Sequence, residues 1–203
     1  MSPDALTDEA LLGACRTGDE RAFATLLRRH HPALVALARC WPGGAHEAQR
    51  DVALAWLAVL GPVRTEPSTA LSVRARAGRE VARAATRRTN LPLEAPDGPL
   101  VDPDRFFPAA HELWPGEWAD PPRPWGRAAA RRLSQADMPR LLARRVRELG
   151  VAPGAALTLR DIHGWSAAEC AAALELSEAQ ARSLLRSARE SLRAALEAEI
   201  DSR

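Results

Sequence analysis

The stretch "HGWSAAECAAALELSEAQARSLLRSARESLRAAL", His163 to Leu196, contains two serines that each open a helical pattern, with a short break between them. Ser166 begins "SAAE", so its hydroxyl can accept the third amide of a helix while Glu169 reaches back to the serine amide. Ser177 begins "SEAQ" and repeats the device with Gln180. The two caps stand so close that the first helix has only two to three turns and "ELS" must be a tight turn, which is helix-turn-helix spacing.

Cys170, Ala173, Leu174 and Leu176 on the first helix, with Ala181, Leu184, Leu185, Ala188 and Leu192 on the second, supply the apolar seam that locks the pair. The opposite face of the second helix offers Gln180, Arg182, Ser183, Arg186, Ser187 and Arg189. Near a helix N-terminus such side chains can enter a major groove, where Gln and Arg read base edges and outer arginines hold phosphates. An ordinary helical hairpin with a polar face has the same pattern, so the rest of the chain must decide between them.

Helical periodicity extends through most of the 203 residues. Leu11, Leu12, Cys15, Phe23, Leu26, Leu27, Leu34, Leu37 and Trp41 recur at helical steps, broken at "RTGDE" and ended by "WPGG". Thr7 and Asp19 are the expected N-caps. His30 and His31 read as helix-end residues before Pro32. A third pattern follows with Val52, Trp56, Val59 and Leu60 along one face. A fourth, residues 69–89, carries Arg74, Arg76, Arg79, Arg83, Arg87 and Arg88 against the single acid Glu80. Further helices are expected over 139–149 and 154–163, and no segment alternates like a strand.

Between these halves, "LPLEAPDGPLVDPDRFFPAAHELWPGEWADPPRPW" is rich in proline and acid. Such composition favours extended chain, yet Phe106, Phe107, Trp114, Trp118 and Trp125 are too apolar for a purely solvated tether. The expectation is an all-α protein of two small bundles, 1–90 and 127–203, joined by a Pro/Trp-rich linker at 91–126, the C-terminal bundle a helix-turn-helix. Every one of the 28 basic residues is arginine. They are unevenly placed: 13 against 9 acids in 1–90, 2 against 7 in 91–126, and 13 against 10 in 127–203. Two basic ends around an acidic middle suit a nucleic-acid partner.

Cys15, Cys40 and Cys170 are an odd number at wide spacing, which predicts neither a disulfide framework nor a zinc site and fits a reducing cytoplasm. Cys170 falls on the packed side of its helix, so burial is expected rather than redox sensing. No apolar run approaches the ~18 residues of a membrane span. The five histidines form no metal-ligand spacing, and no P-loop or nucleophile elbow is present, so neither an enzyme nor a cofactor is expected.

"ALTLRDIHGWSAAECAAALELSEAQARSLLRSARESLRAAL" resembles the promoter-reading domain of extracytoplasmic function (ECF) sigma factors, subunits that direct bacterial RNA polymerase to promoters. "GDERAFATLLRRHHPALVALAR" resembles the opening helices of that family, and "DPDRFFPAAHELWPGEW" is similar to a linker of some members. The resemblance implies promoter DNA and core RNA polymerase as partners; the alternatives are a sigma-derived DNA-binding regulator unable to melt DNA and a sigma-like interaction module that titrates an anti-sigma protein. It implies that Gln180, Arg182, Ser183, Arg186 and Arg189 face the upstream promoter element, that Trp165 is a packing residue, and that the linker threads toward the polymerase cleft.

The front half departs from the family. Its polymerase-binding helix corresponds to "HEAQRDVALAWLAVL", which retains Trp56, Leu57, Val59 and Leu60 as the buried face and only Glu47 and Asp51 as acids. Glu47, Asp51 and Trp56 are the expected polymerase contacts. The next helix carries the family's downstream reading and melting surface, where aromatic residues commonly occur. Here "ALSVRARAGREVARAATRR" has none, although Arg74, Arg76, Arg79 and Arg83 can grip phosphate. An extruded base stacks on an aromatic for ~1–3 kcal/mol, and this segment offers no such platform.

Overall fold

A computed structural model describes residues 5–61, 71–93 and 138–201, and all regular structure in them is helical. The segment read as a Pro/Trp-rich linker lies outside the described residues except for 91–93. In chain order the helices are α1 (Asp8–Arg16), α2 (Glu20–Ala38), α3 (Ala45–Leu60), α4 (Val73–Thr89), α5 (Met138–Glu148), α6 (Val151–Leu157), α7 (Ala167–Leu174) and α8 (Glu178–Asp201). A five-residue π-helical turn, Thr158–Ile162, continues α6.

The ends form where local chemistry places them. Thr7 caps α1 by accepting the Ala10 amide at 3.3 Å, and Asp19 caps α2 by accepting those of Arg21 and Ala22 at 2.9 and 3.1 Å. The expectation that His30 and His31 end a helix is not met: α2 runs through Pro32 to Ala38. A proline inside a helix removes one hydrogen bond, and Pro32 lies on the exposed side while Ala33, Leu34, Leu37 and Ala38 are buried. Burial of that face carries the helix past the missing bond. His30 is also buried, with Nε2 2.7 Å from the Asp8 carboxylate, and so ties α2 to α1.

Both halves contribute to one hydrophobic core. Leu11, Leu26, Leu34, Val52, Trp56 and Val81 from the front are continuous with Ala155, Leu159, Trp165, Cys170, Ala173 and Leu184 from the rear. The seam lies between α4 and α7. Trp165 is 2% exposed, and its ring sits against Gly78, where a Cβ would fall 2.9 Å from the indole and 3.0 Å from the Ala173 Cβ. Glycine at 78 is therefore the residue that lets α4 and α7 approach so closely. At another point of the same core the Cys40 thiol, from the end of α2, lies 3.6 Å from the Thr158 hydroxyl. Burial pushes the Cys40 and Cys170 thiols up to about 11, which keeps both protonated and fits packing roles.

Because Trp165 fills the seam, Trp165→Ala should lower stability by about 3–5 kcal/mol. A shared core also predicts that the front tryptophans, Trp41 and Trp56, report the same urea midpoint as far-ultraviolet circular dichroism of the whole chain. Two separate midpoints would show that the halves unfold independently.

Candidate nucleic-acid interface

The rear helices form a helix-turn-helix. Ser166 Oγ accepts the Glu169 amide at 3.1 Å while the Glu169 carboxylate accepts the Ser166 amide at 3.0 Å, closing the expected capping box of α7. The same exchange joins Ser177 and Gln180 at 3.2 and 2.9 Å ahead of α8. Between them α7 ends with Glu175 in the left-handed region, φ +55°, and the Leu176 amide returns to the Ala171 carbonyl at 2.9 Å. This six-to-one bond is the Schellman turn that reverses the chain. Glycine takes such a backbone without strain, so a glutamate here points to a use for its side chain.

Ala181, Leu184 and Ala188 bury one face of α8. Gln180, Arg182, Arg186 and Arg189 are exposed on the other, and Ser183 is half-buried at its edge. These residues do not stand alike. The Gln180 carbonyl is engaged in the cap of α8, which leaves its amide group as the donor. Arg189 makes a two-point contact with Asp161 of the π-helical turn at 2.6 and 2.8 Å. Arg182 has one long contact to Glu178, at 3.4 Å, and Arg186 projects without a carboxylate partner among the described residues. Arg182 and Arg186 are thus the cations on this face most available to an anion.

The α4 arginines are placed differently. Arg74 donates to both oxygens of Glu169, and Arg83 donates to both oxygens of Glu175 at 2.6 and 3.1 Å and to Glu80 at 3.0 Å. Arg76 donates to Glu9 at 2.7 Å, and Arg79 lies 3.9 Å from Glu80. Arg74, Arg76 and Arg83 hydrogen-bond carboxylates of the same chain, whereas Arg79 only lies near one. Nothing in the sequence pattern of α4 signals this, because three of the four acids lie on other helices or turns.

Glu169 is the most connected of these acids. It accepts from the Ser166 amide, from Arg74 and from the Ser72 hydroxyl at 2.7 Å, and Ser72 in turn caps α4. Burial works against its ionisation, but the bonds from Arg74, Ser166 and Ser72 outweigh that effect and bring its pKa to about 2, from an ordinary 4.5.

On α3, Glu47 accepts the Gly44 amide at 2.9 Å as the cap of its own helix. Asp51 is 1% exposed and receives Arg88 Nε at 3.0 Å and Nη2 at 2.8 Å. Trp56 is buried edge-on to Phe23, with ring centroids 5.8 Å apart. Leu57 corrects the expected buried face, since it is 67% exposed. The buried stripe is Val52, Ala55, Trp56 and Val59, and the next residue along a helix, turned by about 100°, leaves it. With Leu54 it gives α3 an apolar outer surface.

Residues 140–192 match the family model described as Sigma-70, region 4. That span runs from α5 into α8 and contains the whole helix-turn-helix. The match marks this segment, which is less than half of the chain, as similar to the DNA-binding, promoter-recognition region of sigma-70-type transcription factors. No curated protein matches the chain at a significant level. No helix among the described residues is long and apolar enough to cross a membrane, and those residues hold no cluster of metal-ligating side chains.

The lowered pKa of Glu169 sets an acid dependence. A carboxylate with a folded-state pKa below its unfolded value stabilises fully above the unfolded pKa, and that stabilisation is lost as pH falls through the folded one. The window therefore runs from about 4.5 down to about 2. Glu169→Gln, which preserves the capping box, should be less stable than wild type at neutral pH. The gap in urea midpoint between the two should narrow across that window; a constant gap would contradict the assignment.

Proposed function

We propose that the chain is an ECF-type sigma factor that brings RNA polymerase to promoters, with the upstream element read by the N-terminal half of α8. The observation that carries this reading is the exposed Gln180, Arg182 and Arg186 face on a helix-turn-helix that falls within the sigma-70 region 4 match. Arg182 and Arg186 supply the base and phosphate contacts. Gln180 offers its amide donors, Ser183 lies at the margin, and Arg189 orients α8 through Asp161 before meeting DNA. A cytoplasmic, non-enzymatic protein follows from this reading.

Arg182→Ala with Arg186→Ala should weaken promoter binding by about 2 kcal/mol or more and flatten its salt dependence, measured by fluorescence anisotropy across a salt series. Unchanged affinity and slope would remove α8 as the reading helix. Capture of core polymerase by the full chain, followed by abortive transcription, tests the initiation role.

A second reading is favoured by α4: a sigma-derived regulator that binds promoters without opening them. The helix has no aromatic platform, and Arg74, Arg76 and Arg83 are held by carboxylates. Permanganate reactivity of promoter thymines in the presence of polymerase separates the two. Strand opening that depends on this chain supports the sigma factor and excludes the regulator.

A further inference from the structure

Along the seam between α4 and α7, two arginines of the front half are gripped by two carboxylates of the helix-turn-helix. At one end Arg74 takes Glu169 with Nε, at 2.6 Å, and Nη2. At the other Arg83 takes Glu175 with Nη2 at 2.6 Å and Nε at 3.1 Å. Both are two-point contacts, the fork geometry in which a guanidinium also receives a phosphate. Neither pair is sealed inside the protein, since the Arg74 and Arg83 side chains are 33% and 35% exposed. They form the rim of a seam whose dry centre is Trp165, Gly78 and Ala173.

The second pair stands beside the end of the motif that would approach DNA. Glu175 is two residues before the Ser177 cap, and Gln180 and Arg182 follow in the first turns of α8. A phosphate strand lying against the start of α8 would therefore meet Arg83 nearby, and with it the Glu175 carboxylate. That carboxylate is held on a left-handed residue, the position in the turn that glycine would occupy without strain. The only acid within α4 is Glu80, so Glu169 and Glu175, both of the helix-turn-helix, carry much of the charge that quiets the arginine row.

We propose that Glu169 and Glu175 act as intramolecular stand-ins for phosphate, an autoinhibitory contact that occupies Arg74 and Arg83 and keeps this second backbone-gripping surface closed while the α8 face stays open. The ligand class is the phosphodiester backbone, and its identity as DNA rests on the function proposed above. Displacement needs no disruption of the core: at the rim a phosphate exchanges with a carboxylate on the same guanidinium.

The test is the affinity of the full chain for a duplex of non-specific sequence, followed across a salt series. Glu169→Gln with Glu175→Gln removes both charges, keeps the capping box of α7 and leaves both side chains close in shape. Two released arginines should raise affinity about tenfold at low salt and steepen the slope of log affinity against log salt by up to about 2. Adding Arg74→Ala and Arg83→Ala to that variant should abolish the gain. Unchanged affinity and slope in a double variant whose circular dichroism and urea midpoint show it folded would overturn the proposal. If the double variant does not fold, Glu175→Gln alone, changed at the exposed rim, should steepen the slope by about 1, and a folded single variant with the wild-type slope overturns it equally. Failure of the DNA-binding reading looks different, because neither wild type nor variant would then bind the duplex.

Discussion

The Glu169 carboxylate is the point on which the relation between the two halves depends. It closes the cap of α7, accepts the hydroxyl of Ser72 that caps α4, and holds the Arg74 guanidinium, which lies 5.6 Å above the Trp165 ring. One negative charge therefore serves two helix N-termini, each of which favours an anion through its free amides and dipole. Immediately beside this polar node the seam is dry, with Trp165 packed on Gly78 and Ala173. The node fixes direction and the apolar contact supplies the larger free energy, because hydrophobic burial scales with area while a partly exposed ion pair is screened. Through α7, helix α8 inherits its placement relative to α4 from this joint.

What was legible in the sequence was what depends on neighbours within a turn or two. Thr7, Asp19, Ser166 and Ser177 were readable as caps because a cap is satisfied by amides two or three residues away. The helix-turn-helix spacing and its apolar seam belong to the same local grammar, whereas the packing role of Trp165 rested on the family resemblance. The ion pairs do not. Arg74 and Glu169 are separated by 95 residues and Arg83 and Glu175 by 92, so a row of arginines on α4 reads as a solvated or phosphate-binding face until the opposing helix is in place. Asp51 illustrates the same limit. The family resemblance implied an outward contact for it, whereas Arg88 holds it in the interior, a burial tolerable only because the charge is paired. Leu57 errs in the opposite direction, since a run of apolar residues does not reveal which of them the helical turn leaves outside.

The placement of these residues bears on function. The residues nominated for the polymerase contact, Glu47, Asp51 and Trp56, are occupied as a cap, a buried ion pair and a core aromatic. The outer surface of α3 is instead carried by side chains such as Leu54 and Leu57. A partner that docks on the C-terminal half of α3 would meet these leucines rather than a row of acids, and that part of the contact would gain from area removed from water. The α8 face has the opposite character. On the proposed function its exposed arginines would give association that is steep in salt and sensitive to sequence only where a base edge is touched.

The joint between α4 and α7 also constrains how the two surfaces can be used together. Moving α7, and α8 with it, away from α4 would expose Trp165, Leu159, Ala173 and Leu174, each now nearly or wholly buried, at roughly 1.5–3 kcal/mol for each of the larger side chains. Opening of that kind needs a partner whose binding free energy covers the loss, since a ligand shifts a conformational equilibrium only by its differential affinity for the two states. Exchange at the rim needs far less, because Arg74 and Arg83 remain a third exposed and can trade one oxyanion for another in place. The same sequence thus separates two steps by their cost. Under the proposed function, DNA on α8 would compete for the rim with the core intact, whereas separating the halves would require a larger assembly such as the polymerase.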